Sequence, residues 1–470
     1  MIPGRAHDDT QCGAGFLMRH SETGWVVLAG GLAAATAAIA LGGAPPDSKG
    51  PRPVAVWPAG PLEVRVAFDR PVDPGMTKGI VGKVISFGEG GRQVQDSPRA
   101  SDEVSGSLQI AGSRLADGGR TLILFTDPHP RETSYSITLP SIHPPGGSVD
   151  LSYGLAGVEA VLDDGGEDAK VDWSGWWPDL DPDVARVRLR GSAGHEEGFA
   201  LLGRPGRLTL RTLVSLPAGE ATLRIVAGGP IEATLAGEAA ESVDDGRGGH
   251  RADFPMESTG EAAELSVTVR TGVGNKPPSL HATYFTKDAP TPLRLPGDRQ
   301  IVPWAPAPSP AGAAQASAVP DLAGGDPMRG DVIFKGDQAK CAKCHKVRSQ
   351  GGVVGPDLSD LFKRDPASVY RDIAEPSAMI HPEYISYTVA MKDGRVAVGV
   401  VRAEGADAIR VSDTEAKATV VPRSQIEELR PSATSIMPVG LVGVIGEAGM
   451  RDLIAFLTTP PASAPPSRKP

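Results

Sequence analysis

Cysteine is scarce in this chain of 470 residues. The sequence has only three, of which Cys12 lies near the start and only Cys341 and Cys344 lie close together. A disulfide framework needs several spaced cysteines, and a structural zinc site needs a second Cys pair to complete its four ligands. The low count therefore argues against a disulfide-stapled domain and against a cysteine-rich zinc module.

Positive charge and aromatic side chains are also in short supply. Lys and Arg number 47 against 57 Asp and Glu, which gives a formal charge of -10, and aromatic residues make up 5% of the chain. A nucleic-acid-binding protein normally carries a basic excess, so we expect no nucleic-acid partner. Glycine and proline are abundant instead, at 58 and 44 residues, and this balance favours turn-rich β domains joined by linkers.

The glycine-rich fingerprint of nucleotide cofactors is missing as well. No Gly cluster stands between a strand pattern and a helix pattern, which is the arrangement that dinucleotide binding requires. We therefore expect no flavin or nicotinamide site in the chain.

An apolar run near the N-terminus has the features of an export segment. Two residues of the positive region, Arg19 and His20, precede it. The run extends from Trp25 to Leu41 without a charge, and small residues follow it. This succession is typical of a signal peptide. Residues 1–44 are predicted to be a signal peptide or an uncleaved membrane anchor, which places the rest of the chain in the periplasm or cell envelope.

Alternating apolar and polar residues predict β strands in the next part of the chain. Val64, Val66 and Phe68 fall on one face of such a run, and similar runs follow between Gly, Pro and Asp turns. The stretch "GPLEVRVAFDRPVDP" resembles the Ig-like domains of exported bacterial proteins. Residues 52–145 are therefore predicted to form an Ig-like β-sandwich.

A second β-rich domain is predicted for residues 151–304, which resemble exported PA14-like β-sandwiches. Its landmark, "DWSGWWPDLDPDV", contains Trp173, Trp176 and Trp177, followed by Asp179, Asp181 and Asp183. Such a segment can form an aromatic platform for sugar rings or a calcium loop. The interpretation that we favour is a Trp-rich corner that packs the core, with glycan binding as the alternative.

Two segments of low complexity frame the C-terminal unit. Residues 305–325 are rich in Pro, Ala and Ser and are predicted to be a flexible linker, and residues 459–470 are predicted to be a disordered tail. Such a linker lets the domains on either side move independently. The unit between these segments, residues 326–458, is predicted to be a separate domain.

The strongest chemical signal is Cys341-Ala342-Lys343-Cys344-His345, the attachment pattern of c-type haem. Each thiol can add to one haem vinyl group, and a helical turn between the two brings both sulfur atoms to the porphyrin edge. We predict that Cys341 and Cys344 hold one covalent haem c and that His345 is the proximal iron ligand. A redox-active Cys pair is the alternative, but no thioredoxin-like βαβ pattern surrounds it.

Several features around this motif resemble class I cytochromes c. Gly330 and Phe334 stand where the first helix of that family crosses the last, for which Phe456 supplies an aromatic partner. Pro356 stands in "GPDL", where the resemblance implies that the proline carbonyl accepts the free N–H of His345. The segments "GDPMRGDVIF", "AEPSAMIHPEYISYTVAMKDGRVAVG" and "IEELRPSATSIMPVGL" together resemble the planctomycete-type haem-binding domain over residues 326–458.

This resemblance also implies a sixth iron ligand. Met437 is followed by proline shortly before the last helix, the context that the family uses, and is predicted to be the distal ligand. Met379, His381 or an open site are the alternatives.

Residues 384–430 form an insertion that class I cytochromes c lack. Alternating runs around the Asp393-Gly394 turn predict strands, followed by a short helix at Ser424–Leu429. The pattern resembles a small SH3- or Sm-like barrel. The predicted fold class is thus multidomain: two β-sandwich-like domains, then an all-α class I cytochrome c domain that carries a small β-barrel insertion.

Basic residues flank the attachment motif, at Lys335, Lys340, Lys343, Lys346 and Arg348. They are interpreted either as a solvated helix face or as a basic rim that steers an acidic redox partner. The leading functional prediction is an exported monohaem electron-transfer protein that works with a partner oxidoreductase. A glycan-binding or adhesion protein with an accessory haem is the main alternative, and haem catalysis at an open iron site is a third.

Overall fold

The computed structural model describes residues 50–88, 105–130, 133–143, 147–246, 248–306, 319–378 and 380–460. The predicted export segment and most of the predicted linker and tail lie outside these residues. Within them, no helix is long and apolar enough to cross a membrane.

A seven-stranded antiparallel sheet occupies the first part of the chain, with the strand order β1-β2-β5-β4-β3-β6-β7. Its strands are β1 (Pro53–Gly60), β2 (Glu63–Phe68), β3 (Val84–Phe87), β4 (Gly106–Ala116), β5 (Thr121–Thr126), β6 (Tyr135–His143) and β7 (Gly147–Tyr153). Strand β4 pairs with β3 before a register shift at Ile110 and Gly112, and with β5 after it. A bulge at this point bends the strand, so that the sheet can close over buried side chains such as Phe68 and Tyr135.

Two further antiparallel sheets follow. One has the order β13-β12-β16-β10-β8-β9, with β19 beside β10, and the other has the order β14-β15-β11-β17-β18. Their strands are β8 (Val158–Asp163), β9 (Val171–Trp177), β10 (Gly206–Ser215), β11 (Gly219–Ala227), β12 (Ile231–Leu235), β13 (Glu238–Ala240), β14 (Val243–Asp244), β15 (His250–Ser258), β16 (Ala262–Thr271), β17 (Leu280–Thr286), β18 (Leu293–Arg294) and β19 (Gln300–Ile301). Alternate residues of β10, such as Leu208 and Leu210, are buried, as the two-residue period of a strand requires.

Two short helices, α1 (Pro182–Arg188) and α2 (Ala193–Leu201), interrupt this β-rich part after β9. Helix α1 begins where Asp181 accepts the backbone N–H of Asp183 and proline takes the first helical position. Two aspartates of the alternative calcium loop are therefore used within the fold, since Arg294 also pairs with Asp179 and Asp181.

The C-terminal unit combines four helices with seven strands. The helices are α3 (Pro327–Lys335), α4 (Cys341–Cys344), α5 (Pro366–Ala374) and α6 (Leu441–Thr458). The strands are β20 (Lys346–Val347), β21 (Gln350–Gly351), β22 (Ser386–Met391), β23 (Val396–Glu404), β24 (Ala408–Ser412), β25 (Ala418–Pro422) and β26 (Ile426–Pro431). The last five form one antiparallel sheet in the order β25-β24-β23-β22-β26.

The predicted all-α class I cytochrome c domain is therefore wrong. The described residues of the whole chain form 26 strands and six α-helices, and the C-terminal unit itself is a mixture of both. The short helix predicted at Ser424–Leu429 is also wrong, because most of that segment belongs to strand β26. There Leu429 lies opposite Val389 of β22 and is buried, and this pairing outweighs the local helical pattern.

The five-stranded sheet packs against the first sheet of the chain. Leu62, which precedes β2, belongs to the same buried cluster as Tyr387 and Val389. Asp127 accepts the backbone N–H of Ala403 at 2.7 Å, which adds a polar contact beside the apolar one. The expectation of two halves that move independently thus conflicts with a packed, hydrogen-bonded interface.

Candidate functional site

Helices α3 and α6 cross closely beside the Cys pair. Gly330 of α3 makes this possible, because a Cβ atom there would lie 2.6 Å from the Cβ atom of Phe456. One helical turn further on, the ring centroids of Phe334 and Phe456 lie 5.6 Å apart. Arg329 adds two hydrogen bonds to the carboxylate of Asp452, at 2.7 and 2.9 Å. The crossing that the sequence pattern implied is present.

Both thiols lie on one short helical turn. Helix α4 contains only Cys341 to Cys344, and the backbone N–H of His345 donates to the Cys341 carbonyl at 2.9 Å. Both cysteines are free and half-buried. Burial raises the pKa of the Cys341 thiol to about 11 and also raises the pKa of Cys344. A redox-active Cys pair needs a lowered thiol pKa, so that alternative gains no support.

The imidazole of His345 has a fixed tautomer. Its Nδ1 atom lies 3.0 Å from the carbonyl oxygen of Pro356, and because a carbonyl can only accept, Nδ1 carries the proton. The Nε2 atom is then left with its lone pair. Burial lowers the pKa of His345, which keeps the ring neutral at neutral pH. This is the state in which histidine binds metals.

Gly355 fixes the position of this ring from the other side. A Cβ atom at residue 355 would lie 2.6 Å from the Cε1 atom of His345, so only glycine lets the backbone come this close. The Gly355 N–H also donates to the Cys344 carbonyl at 2.9 Å. The segment from Cys344 to Pro356 therefore folds back on itself around the imidazole.

Met437 lies in the same hydrophobic cluster as Cys341. Both are half-buried and pack against the core formed by α3, α5 and α6. The Met437 N–H donates to Ser435 at 3.1 Å, and Ser435 is tied in turn to Ser377. His381, an alternative ligand, is exposed and accepts the N–H of Glu383. Met379 lies outside the described residues.

These residues have the functional groups that a covalent haem requires. Two free thiols stand one helical turn apart, the next residue offers a neutral imidazole with a free Nε2, and a thioether side chain shares their hydrophobic cluster. Thiol, imidazole and thioether are the groups by which such a haem is attached and its iron ligated. The donor set therefore fits the group.

Most of the basic residues around the motif form ion pairs within the chain. Glu415, at the turn between β24 and β25, pairs with both Lys340 and Lys343, at 3.5 and 3.0 Å. Lys335 pairs with Asp331, and Lys346 with Asp357. The predicted basic rim is thus largely balanced by acidic side chains. Glu415 was missed by sequence reasoning because it lies about 70 residues from the motif and no local pattern links them.

The Trp-rich segment is mostly part of the core, as the favoured interpretation of the sequence expects. Trp177 is fully buried, Trp176 is 7% exposed, and only Trp173 is half-buried. The indole N–H of Trp173 donates to Gly194, and that of Trp176 donates to Ala156. Trp176 and Trp177 therefore offer no exposed aromatic face, whereas Trp173 is partly exposed.

Comparison with known proteins gives only distant matches. No family model matches the chain, and no curated protein matches it. Among solved structures, the PA14 sugar-binding domain of an RTX adhesin is 10% identical, with a TM-score of 0.23 over 31% of this chain and 98% of that one. The PA14 domain of the antifreeze protein MpAFP is 18% identical, with a TM-score of 0.17 over 21% and 51%. An anti-sigma factor domain-containing protein from Clostridium clariflavum is 8% identical, with a TM-score of 0.23 over 51% and 84%.

The structure corrects one part of the sequence interpretation. The classification as a metal-binding cytochrome c is wrong. The C-terminal unit is a mixture of helices and strands, and the described residues hold no group of three or more His, Cys, Asp or Glu that could by itself bind a metal ion.

Proposed function

We propose that Cys341 and Cys344 bind one haem covalently and that the protein transfers electrons. The observation that carries this proposal is the hydrogen bond from His345 Nδ1 to the Pro356 carbonyl, which leaves Nε2 free beside two free thiols. When bound, the haem supplies a one-electron couple between ferric and ferrous iron. Nothing in this proposal depends on a cytochrome-like fold.

The residues of the chain have separate tasks in this proposal. The two thiols hold the haem edge, and His345 ligates the iron through Nε2. Pro356 holds the imidazole in the required tautomer and orientation, as hydrogen-bond partners of metal-binding histidines usually do. Met437 is the proposed distal ligand, which would close the site to substrates and leave electron transfer as its task. Attachment of this kind takes place outside the cytoplasm, so we also propose that the chain is exported.

The test is covalent attachment in cells that can mature c-type haem proteins. Wild-type protein should keep its haem on a denaturing gel, whereas Cys341→Ser with Cys344→Ser should lose it entirely. Spectra of Met437→Leu should lose the weak far-red band that marks Met ligation to ferric iron. A wild-type protein that carries no haem after maturation would overturn the proposal.

We infer saccharide binding by the β-rich half as a second function. The observation that favours it is a cavity of about 300 Å³, here called the Trp cavity, which four Trp residues line. They are Trp57, Trp173, Trp176 and Trp304, of which Trp173 and Trp304 are partly exposed. Indole rings in a small cavity offer the apolar faces on which sugar rings stack. Calorimetric titration of the full chain with soluble sugars tests this function.

A further inference from the structure

The Trp cavity is built jointly by the first sheet and the second β-rich part. Trp57 lies on β1, Trp173 and Trp176 lie on β9, and Trp304 follows β19. At about 300 Å³, the cavity lies near the lower limit for ligand pockets, roughly 300–1,000 Å³. A single sugar ring is a ligand of suitable size. The inference below rests on the saccharide-binding function proposed above.

The floor of the cavity is uncharged. His195 is buried there, and its Nε2 atom lies 2.9 Å from the Trp176 carbonyl, so this nitrogen carries the proton. Its Nδ1 atom accepts the hydroxyl of Ser192 at 2.7 Å. Burial lowers the pKa of His195 to about 4, and its ring packs edge-on against Trp57 at 4.6 Å. The floor therefore offers apolar surface and no charge at neutral pH.

The rim of the cavity carries unbalanced negative charge. Arg65 and Glu159 both line it, but Arg65 pairs with Glu63 at 2.5 Å and Glu159 pairs with Arg211 at 2.6 Å. Asp117 and Glu197 are exposed, and neither forms an ion pair with another described residue, although one oxygen of Asp117 accepts the Thr121 hydroxyl at 2.5 Å. Two carboxylates thus remain available to a ligand, and no cation is left to balance them.

We propose that the Trp cavity binds an amino sugar, a hexose that carries a free ammonium group. The apolar face of the ring would stack on an indole, and a cation over an aromatic ring gains further attraction. Glu197 and Asp117 would pair with the ammonium group, whereas an acidic sugar would be repelled. This chemistry separates amino sugars from neutral sugars and from uronic acids.

The experiment is calorimetric titration of the full chain with glucosamine, glucose and glucuronate at neutral pH. We expect glucosamine to bind more tightly than glucose, and glucuronate not to bind. Glu197→Gln should weaken glucosamine binding about fivefold, the effect of one exposed ion pair, and leave glucose binding unchanged. Glu238→Gln is the matched control, since Glu238 is exposed on β13 and does not line the cavity. Ser174→Leu, an exposed change at the rim, should block every sugar.

Each contrary outcome has its own meaning. Equal binding of glucose and glucosamine, blocked by Ser174→Leu, would overturn the amino-sugar inference and leave saccharide binding intact. Sugar binding that Ser174→Leu does not affect would place the site elsewhere and overturn the inference. Binding of a simple amine such as ethanolamine as tightly as glucosamine would also overturn it, because the ring would then contribute nothing. Absence of binding for all three sugars would overturn both the inference and the saccharide function.

Discussion

The Glu415 carboxylate lies 3.0 Å from the ammonium group of Lys343, inside the attachment motif, although the two residues are 72 positions apart in the chain. The contact brings the turn between β24 and β25 onto helix α4. It lowers the pKa of Glu415 and raises that of Lys343, because each charge stabilises the other. The inserted sheet therefore places an acidic group where an acidic partner protein would have to bind.

Replacing Glu415 with Gln should expose the positive charge of Lys340 and Lys343. Haem-loaded Glu415→Gln should react faster than wild type with an acidic redox protein at low salt, and this gain should vanish at high salt. Stopped-flow absorbance measures the electron-transfer rate of wild type and variant at low and at high salt. Glu428→Gln is the control, since it removes an exposed ion pair with Arg430 in β26. An unchanged rate at low salt would remove any role for these lysines in steering.

Gly355→Ala should displace the imidazole of His345. The added Cβ atom would lie 2.6 Å from the Cε1 atom of His345, closer than van der Waals contact allows. The hydrogen bond from His345 to the Pro356 carbonyl should therefore break. Nitrogen NMR of the haem-free protein should show one Nδ1-protonated tautomer in wild type and a mixture in the variant. Gly443→Ala, where a Cβ atom meets nothing within 4 Å, should leave the tautomer unchanged. A single tautomer in Gly355→Ala would show that the loop can adjust.

Gly330→Ala should destabilise the crossing of α3 and α6. Since the new Cβ atom would collide with the Asp452 carbonyl oxygen and press against Phe456, we expect the free energy of unfolding to fall by about 1–3 kcal/mol, the usual cost of overpacking. Urea denaturation followed by circular dichroism measures this loss. The same substitution at Gly443 serves as the control. Equal stability of the two variants would mean that the helices can move apart without cost.

Asp452→Asn should change how stability depends on pH. Hydrogen bonds from Arg329 and from the Asp326 N–H lower the pKa of Asp452 below its unfolded value of about 4. Its ionised form therefore contributes stability above about pH 4, and that contribution is lost as the pH falls through the folded pKa. The variant should be less stable than wild type at neutral pH, and the two should converge as the pH falls below the folded pKa of Asp452.

Urea midpoints at several pH values check this convergence. Asp360→Asn removes an exposed pair with Lys363 and is the matched control, for which we expect little change at any pH. A constant difference between Asp452→Asn and wild type across the whole range would contradict the electrostatic explanation.

Leu62→Ala tests the packing of the inserted sheet on the first sheet. Leu62 is 7% exposed and belongs to the cluster around Val389, so its truncation should lower the free energy of unfolding by about 2–3 kcal/mol. It should also make the chain segments that form the two sheets more susceptible to proteolysis. Leu293→Ala, the same change at a residue that is 46% exposed, should have little effect. Identical behaviour of both variants would mean that the two sheets do not depend on each other.

Local sequence determined the features that short-range chemistry controls. Val64, Val66 and Phe68 alternate with polar residues, and the structure has strand β2 there. An aspartate followed by proline begins both α3 and α5, because the carboxylate accepts a free N–H and proline fits the first turn. The hydrogen bond between His345 and Pro356 was expected from the resemblance to class I cytochromes c, and it lies within a segment of 11 positions.

Only the tertiary structure decided what depends on distant partners. It made residues 426–431 a strand because β22 offers an open edge and Leu429 gains a buried position there. It balanced the lysines of the attachment motif with Glu415, and it assembled the Trp cavity from Trp57 and Trp304, which lie far apart in the chain. Burial and long-range ion pairs depend on which surfaces meet, and local periodicity carries no information about that choice.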